Sequence, residues 1–473
     1  MKRTLSVILS LLILLPAFAA QEAEKKSAPV KEHLQNHFKI YGFIRNYFVF
    51  DSRESKAGTG DLFYYLPLDN KWNTSSLRNP AREDLNASPN FRFLALTSRV
   101  AFDVSGYYIN NLHFGAKVEG DFYSGLSKLT STTGLSGNTN VSGTAQARLR
   151  QAYVTLTWKD LEMKGEQTAQ VGLKIGQAWH PMAADMPHIF SLETGAPFGP
   201  FSRTPQVTVD ASLGKNWIVS ASAIWQQQYM SAGPDGASAS YQKYACTPEA
   251  YAGVSYKGKD FLVRGGVDVV SIKPRNIGKN AEGYTVHVKD RKTSVLGFLY
   301  GQYSYKMLQV KAKTTFGEGG EHMNLMSGYA VVDKSDPTNW KYASLINSSS
   351  WVSASYGKKW QGVLFLGYAK NFGLAKPAEE GFVNKTDVYF CSNGFSNINQ
   401  LYRINPQGLY NLGKFTVGVE YQWTAVQYGK YVSGELKETG EQVNLLNGLG
   451  LPWKDTLHWV GNHRVNVMVK FTF

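Results

Sequence analysis

The chain has 473 residues and a formal net charge of +14, and aromatic residues make up 13% of it. High aromatic content at a mean hydropathy of −0.28 is typical of a β-barrel with an apolar outside and a wet interior. Because the lysines and arginines are scattered through the chain, we expect no nucleic-acid partner, and the charge indicates anionic surfaces or anionic solutes instead.

The amino terminus has the pattern of a secretory signal peptide. Two basic residues precede an apolar run over 5–15, small residues follow, and we expect cleavage before Ala20. Residues 1–19 are therefore predicted to be a signal peptide and residues 20–36 a short periplasmic lead. No later stretch approaches the roughly 20 apolar residues that a membrane helix needs. The signal alone leaves a secreted or periplasmic soluble protein as an alternative.

Segments with apolar residues on one parity and polar residues on the other recur along the rest of the chain, which is the pattern of a transmembrane strand. Sixteen segments have this pattern: 37–50, 91–105, 111–123, 147–158, 168–180, 205–212, 215–229, 248–257, 260–271, 292–306, 308–316, 350–357, 360–370, 401–411, 414–427 and 462–473. The last segment ends on Phe473. We expect it to pair with the first segment, so that no sheet edge is left open in lipid.

The connectors between these segments alternate strictly in length. Short ones, such as SLGKN, YKGKD and NLGK, follow every second segment, and long ones fill the other gaps. This arrangement predicts an all-β fold: a single transmembrane antiparallel β-barrel over 37–473, with short periplasmic turns and long external loops. Sixteen is the predicted number of strands. Fourteen and eighteen stay open, because 205–212 is short and 360–370 is apolar on both parities.

Several segments go beyond a generic barrel pattern. They are SRVAFDV (98–104), VEGDFYS (118–124), ARLRQAYV (147–154), KIGQAWHPMAADMPHIFSLETGAPFGPFSRTPQVTVD (174–210) and QLYRINPQGLYNLGKFTVGVEY (400–421). Together they resemble the DcaP-like family of trimeric outer-membrane porins. The resemblance implies a sixteen-stranded homotrimeric barrel in the bacterial outer membrane that passes small anionic solutes such as dicarboxylates.

Parity assigns many charged side chains to the barrel interior, because a charge on the lipid face costs about 2–4 kcal/mol at mid-membrane. The predicted pore-lining residues are Arg45, Arg99, Lys117, Glu119, Asp121, Arg148, Arg150, Lys174 and Arg264. A ladder of lysines and arginines at these positions would lower the barrier to anions. The alternative is that these charges only brace a wet interior.

Two arginines are the sharpest candidates, since the matching arginines of the resembled family lie at the pore. Arg148 and Arg150 share a parity with Val154, which looks lipid-facing. A β-bulge near Gln151 or Ala152 would reconcile the two assignments. Alternatively, the arginines lie beyond the membrane edge at the mouth of the strand.

The third long loop, 181–204, is a candidate constriction loop, because porins fold a loop inward at this point in the chain. It is rich in Pro, Gly and aromatic residues, which favours a compact, ordered conformation. Such a loop would place Asp185, Glu193 and Arg203 near the constriction. The alternative is an external loop packed over the trimer axis.

Two cysteines, Cys246 and Cys391, fall in external loops. Export permits a disulfide between them, but the spacing does not show that the two loops touch. The sequence has no HExxH, G-x-S-x-G, P-loop or metal-spaced Cys/His motif, so we expect no enzyme activity, no cofactor and no metal site.

These observations favour a passive outer-membrane porin that is biased to small anions. Its expected surroundings are outer-membrane lipid, lipopolysaccharide, anionic solutes and further copies of the chain in a homotrimer. The alternative function is a barrel that serves as an adhesin or anchor through its long external loops.

Overall fold

The structure is a computed structural model that describes residues 37–58, 63–73, 83–95, 97–124, 145–162, 168–393, 395–435 and 440–473. The predicted signal peptide and periplasmic lead lie outside the described residues. No helix in the described ranges is long and apolar enough to cross a membrane.

Sixteen antiparallel strands form one closed barrel in the described chain, as predicted. In chain order they are β1 (Phe38–Asp51), β2 (Arg99–Ile109), β3 (Leu112–Ser124), β4 (Ala145–Glu162), β5 (Thr168–Trp179), β6 (Arg203–Leu213), β7 (Trp217–Ile224), β8 (Glu249–Lys257), β9 (Phe261–Ile272), β10 (Lys292–Tyr305), β11 (Leu308–Glu318), β12 (Lys341–Gly357), β13 (Trp360–Leu374), β14 (Ile398–Leu412), β15 (Phe415–Tyr428) and β16 (His458–Thr472). All sixteen predicted segments are strands, so the alternatives of fourteen and eighteen are wrong.

The first and last strands close the barrel. β1 pairs with β16 in a register that sets Phe43 opposite Thr472. Beyond the end of β16, the Phe473 amide donates to the Gly42 carbonyl at 3.1 Å, and the Gly42 amide donates back at 3.2 Å. The predicted pairing of the chain's last segment with its first is therefore confirmed.

The alternation of side chains also follows the prediction. In β1, Ile40 and Ile44 are exposed on the outer face, whereas Tyr47 and Asp51 are completely buried on the inner face. A β-strand presents successive side chains to opposite faces, so one strand supplies an apolar outside and a polar inside.

Several long connections contain structure of their own. Their elements are Ser55–Gly58, Phe63–Pro67, Asn90–Leu94, the helix α1 (Ser240–Ala245), Ile277–Lys279, Thr285–His287, Gly328–Asp333, Phe382–Asn384, Val388–Phe390, Val432–Glu435 and Gln442–Asn447. The predicted single segment 91–105 is in fact two strands, and Asn90–Leu94 pairs with the far end of β1. The long connections thus lie at one end of the barrel, and the short turns lie at the other.

Candidate functional site

The connection between β5 and β6 lies inside the barrel. We call residues 180–202 the inner loop. It opens with a short 3₁₀ turn at Pro181–Ala183, and most of its residues from Phe190 to Ser202 are buried. Its partners include inward-facing side chains of six barrel strands, which are β9, β11, β13, β14, β15 and β16. An external loop packed above the barrel would not have these contacts.

One side of the inner loop is held by β9 and β11. Arg264 Nη1 donates to both carboxylate oxygens of Asp185, at 2.8 and 2.9 Å. Lys313 Nζ donates to the carbonyl oxygens of Met182 at 2.6 Å and of Asp185 at 3.1 Å. The predicted pore-lining residue Arg264 therefore holds the loop, and the Asp185 carboxylate is neutralised by its partner.

The other side is held by the strands near the barrel seam. Glu193 accepts hydrogen bonds from Arg464 at 3.2 Å, from Gln422 at 3.3 Å and from Arg403 at 3.4 Å. Arg464 also pairs with Asp51 at 2.8 Å. These groups are almost fully buried, and buried charges are tolerated only when they are paired and hydrogen-bonded. Glu193 is thus a second anchor of the inner loop.

Sequence reasoning missed the two arginines that hold Glu193. Arg403 precedes the outward-facing Ile404, and Arg464 precedes Val465 in the last strand. Both lie on the inward parity of an alternating segment. The rule that selected the other charged residues, applied to these two segments, would have found both.

Aromatic side chains also pack the inner loop against the barrel wall. The ring of Phe198 lies against that of Phe365, with centroids 6.1 Å apart. A Cβ atom built on Gly367 would meet the Phe198 ring at 2.5 Å, closer than real Cβ contacts come. A glycine on the inner face of β13 is therefore required for the loop to approach the wall this closely.

The wall formed by β2, β3 and β4 carries three of the six predicted arginines. Arg148 pairs with Asp121 through two hydrogen bonds of 2.8 Å each. Arg150 bonds Glu119 and Asp121, both at 2.7 Å. Arg99 lies 3.6 Å from Glu119. Bidentate arginine–carboxylate pairs of this kind hold the guanidinium planes in fixed orientations.

A β-bulge turns both arginines of β4 toward the interior. The pairing of β3 with β4 sets Glu119 opposite Gln151 but Gly120 opposite Leu149, so Arg150 is the extra residue. The bulge therefore lies immediately before Gln151. Its effect is the predicted one, because Val154 faces outward while Arg148 and Arg150 do not.

Two further arginines adjoin this group. Arg45 lies over the rings of Phe43 and Tyr47, with 4.7 and 5.1 Å to the ring centroids. Arg203, at the start of β6, lies 4.9 Å from the Trp179 ring. We define the basic cluster by its seven members, which are Arg45, Arg99, Arg148, Arg150, Arg203, Glu119 and Asp121. With five guanidinium groups and two carboxylates, it has an excess of positive charge.

The other predicted residues lie apart from the basic cluster. Lys117 pairs with Asp103 at 3.4 Å, and Lys174 lies 5.6 Å from the ring of Tyr153. A cavity of about 640 Å³ lies between Arg264 and the short turn that joins β8 to β9. Its polar lining includes Asp210, Ser220, Ser255, Lys257, Arg264 and Gln302.

The structure has the two cysteines as free thiols, in contrast to the disulfide considered from the sequence. Cys246 is exposed at the end of α1, whereas Cys391 is buried beside Asn324. An exposed and a buried thiol in separate loops do not meet. Burial also raises the pKa of the Cys391 thiol.

Comparison with known proteins supports the fold. No protein-family model and no curated protein matches the sequence. Among solved structures, the chain is similar to the outer-membrane channel DcaP of Acinetobacter baumannii, with 16% identity and a TM-score of 0.58 over 92% of this chain and 97% of that one. An anion-selective porin from Comamonas acidovorans is 9% identical, with a TM-score of 0.49 over 92% and 99%. OmpT of Vibrio cholerae is 11% identical, with a TM-score of 0.46 over 92% and 97%. The predicted resemblance to DcaP-like porins is confirmed for the fold.

Proposed function

We propose that the chain is a porin of the bacterial outer membrane through which small hydrophilic solutes diffuse passively, with a preference for small anions. The observation that carries this proposal is the division of the interior. The inner loop is held by residues of strands between β8 and β16, and most of the basic cluster lies on the wall formed by β2, β3 and β4. A solute crossing the barrel would therefore pass between the loop and the arginines.

The charges on the two sides are unequal. The two carboxylates of the inner loop, Asp185 and Glu193, are already paired with arginines of the barrel wall. The basic cluster keeps more guanidinium groups than carboxylates, and the side chains of Arg99 and Arg148 stay 25% and 17% exposed. Positive charge lining a narrow pore lowers the barrier for anions and raises it for cations.

Small carboxylates, including dicarboxylates, are the solutes that this arrangement favours. A guanidinium group presents a planar fork of donors that matches a carboxylate. Several such groups lie on adjacent strands here, so a solute with two carboxylates can contact more than one of them during passage. Weak, repeated contacts of this kind allow entry without trapping the solute.

We also propose a homotrimer, embedded in outer-membrane lipid and in contact with lipopolysaccharide. The outer face near the barrel seam carries large apolar side chains, including Ile40, Ile44, Phe91 and Phe93. An apolar face of this kind suits burial against lipid or against further copies of the chain. The mass of the detergent-solubilised protein tests the trimer.

Conductance tests the proposed function against the alternative of an adhesin or anchor. Purified protein added to a planar lipid bilayer should give stepwise, ohmic increases in current. A folded barrel that produces no channel currents would overturn the porin proposal and favour the alternative.

A further inference from the structure

Four titratable side chains meet in a buried cluster apart from the basic cluster. His180 begins the inner loop, Glu249 begins β8, Asp268 lies in β9, and His322 lies in the connection that follows β11. Their exposed fractions are 0 to 2%. Four separate segments of the chain therefore converge on one point.

The ring nitrogens of the two histidines lie close to the carboxylate oxygens of Glu249 and Asp268. His180 Nε2 lies 2.7 Å from Glu249 Oε1 and 3.6 Å from Asp268 Oδ1. His322 Nε2 lies 3.2 Å from Glu249 Oε1 and 3.8 Å from Asp268 Oδ2. His180, Glu249 and Asp268 each offer one atom that could bind a metal ion, and these three atoms lie within 4.8 Å of one another.

The cluster is incompletely satisfied by the protein itself. Two carboxylates lie side by side without solvent, and Asp268 Oδ1 has no hydrogen-bond partner in the described structure. The two imidazoles can balance the two carboxylates only as cations, and a buried carboxylate oxygen without a partner is costly. A metal ion held by neutral imidazoles would supply both the positive charge and the missing partner.

We propose that His180, Glu249, Asp268 and His322 form a binding site for a divalent transition-metal ion of the zinc class. Bond lengths of about 2.0–2.2 Å to zinc imply separations of roughly 3.3 Å between the ligand atoms of a tetrahedral site. The four separations given above bracket that value. Imidazole nitrogens favour zinc and its neighbours in the first transition row over calcium and magnesium, which prefer oxygen ligands.

Binding requires His180 to free its Nε2. The ring accepts a hydrogen bond from the Met182 amide at Nδ1, at 3.1 Å, so a neutral ring carries its one proton on Nε2, directed at Glu249. The ion takes the place of that proton on Nε2 while the proton moves to Nδ1, which keeps the ring neutral and breaks the Met182 contact. Because the ligands must be deprotonated, metal affinity should rise with pH.

An ion at this site would brace the inner loop. His180 is its first residue, and the ion would tie it to β8, to β9 and to the connection after β11. The site could not be predicted from the sequence, because its ligands are separated by 69, 19 and 54 positions and match no local motif.

The test uses the full-length chain in a Cys246→Ser background, so that the exposed thiol cannot bind the ion. The protein is refolded in detergent with a chelator, which is then removed. It is titrated with ZnCl₂, and bound zinc is measured by calorimetry and elemental analysis. We expect one zinc ion per chain and a higher melting temperature. His180→Gln and Asp268→Asn, which roughly keep side-chain volume, should each weaken binding by roughly 100-fold, since an outer-shell partner alone is worth about 10–100-fold.

The matched control is His188→Gln. His188 lies in the same loop, but its Nε2 lies against Gln309 rather than the cluster, so this variant should bind zinc like the parent. A folded parent that binds no zinc overturns the proposal, as do cluster variants that keep the parent's affinity. If the variants do not fold, the parent is loaded with Co²⁺: an absorption spectrum without the visible bands of nitrogen-ligated, four-coordinate cobalt overturns it equally.

Discussion

Arg148 and Asp121 form a two-pronged ion pair across β3 and β4, with both hydrogen bonds at 2.8 Å. The second oxygen of the same carboxylate also accepts from Arg150 at 2.7 Å. One buried aspartate thus holds two guanidinium groups at the interior surface. This arrangement fixes the orientation of both guanidinium groups.

Replacing both arginines should weaken anion preference. In an Arg148→Ala, Arg150→Ala double variant, two positive charges are lost while the carboxylates of Glu119 and Asp121 stay behind. The reversal potential in a salt gradient should therefore shift toward cations relative to the parent. Arg291→Ala is the control, because Arg291 is exposed in an external connection. Unchanged selectivity in the double variant would remove these arginines from the constriction.

Loss of the second anchor should release the inner loop. Glu193→Gln keeps the shape of the side chain but leaves Arg403 and Arg464 without their shared carboxylate. Removing one partner of a buried ion pair costs about 3–5 kcal/mol, so urea unfolding in detergent should require less denaturant. Single-channel recordings should show larger or noisier currents. The control is Glu379→Gln, at an exposed position, which should behave like the parent. A Glu193→Gln channel with the same current and the same noise as the parent would contradict this anchoring.

Overpacking beneath the loop should displace it. Gly367→Val would push a side chain into the Phe198 ring, and overpacking of this kind costs about 1–3 kcal/mol. We expect a larger channel conductance as the loop moves away from the wall. Gly362→Val in the same strand is the matched control, because nothing lies within 4 Å of a Cβ atom there. Equal conductance in the two variants would place the loop elsewhere.

The two thiols should differ in reactivity. A maleimide added to the folded protein should label Cys246, which is exposed, and leave Cys391, whose thiol is buried and has a raised pKa. Unfolding in denaturant without reductant should expose the second thiol. Absence of labelling at both positions in unfolded, unreduced protein would indicate the disulfide that the structure lacks.

The barrel could be predicted because its signals are local. Alternation in a segment such as 37–50 reports which face meets lipid, and connector length reports where the chain reverses. Even the bulge at Arg150 could be predicted, because Arg150 and Val154 are an even number of positions apart although one is charged and the other is apolar. These features depend on neighbours in the sequence, so the sequence alone contains them.

The anchoring of the inner loop could not be predicted, because it depends on distant residues. Glu193 lies more than 200 positions from the arginines that hold it, and parity says only that such side chains point inward. The same limit applies to Asp185. Its place in the third long loop predicts a carboxylate near the constriction, but that carboxylate is paired with Arg264 of the barrel wall. Which inward charges pair, and which stay available to a solute, is decided by the path of the loop across the interior.

Reversal potential is the most direct test of the central claim, that solutes pass between a neutralised inner loop and a basic cluster. The parent protein is inserted into a planar bilayer with a tenfold gradient of potassium chloride across it, and the zero-current voltage is measured. We predict that chloride is the more permeant ion, so the zero-current voltage should have the sign of the chloride equilibrium potential. A voltage of the opposite sign, set by potassium, would contradict the claim.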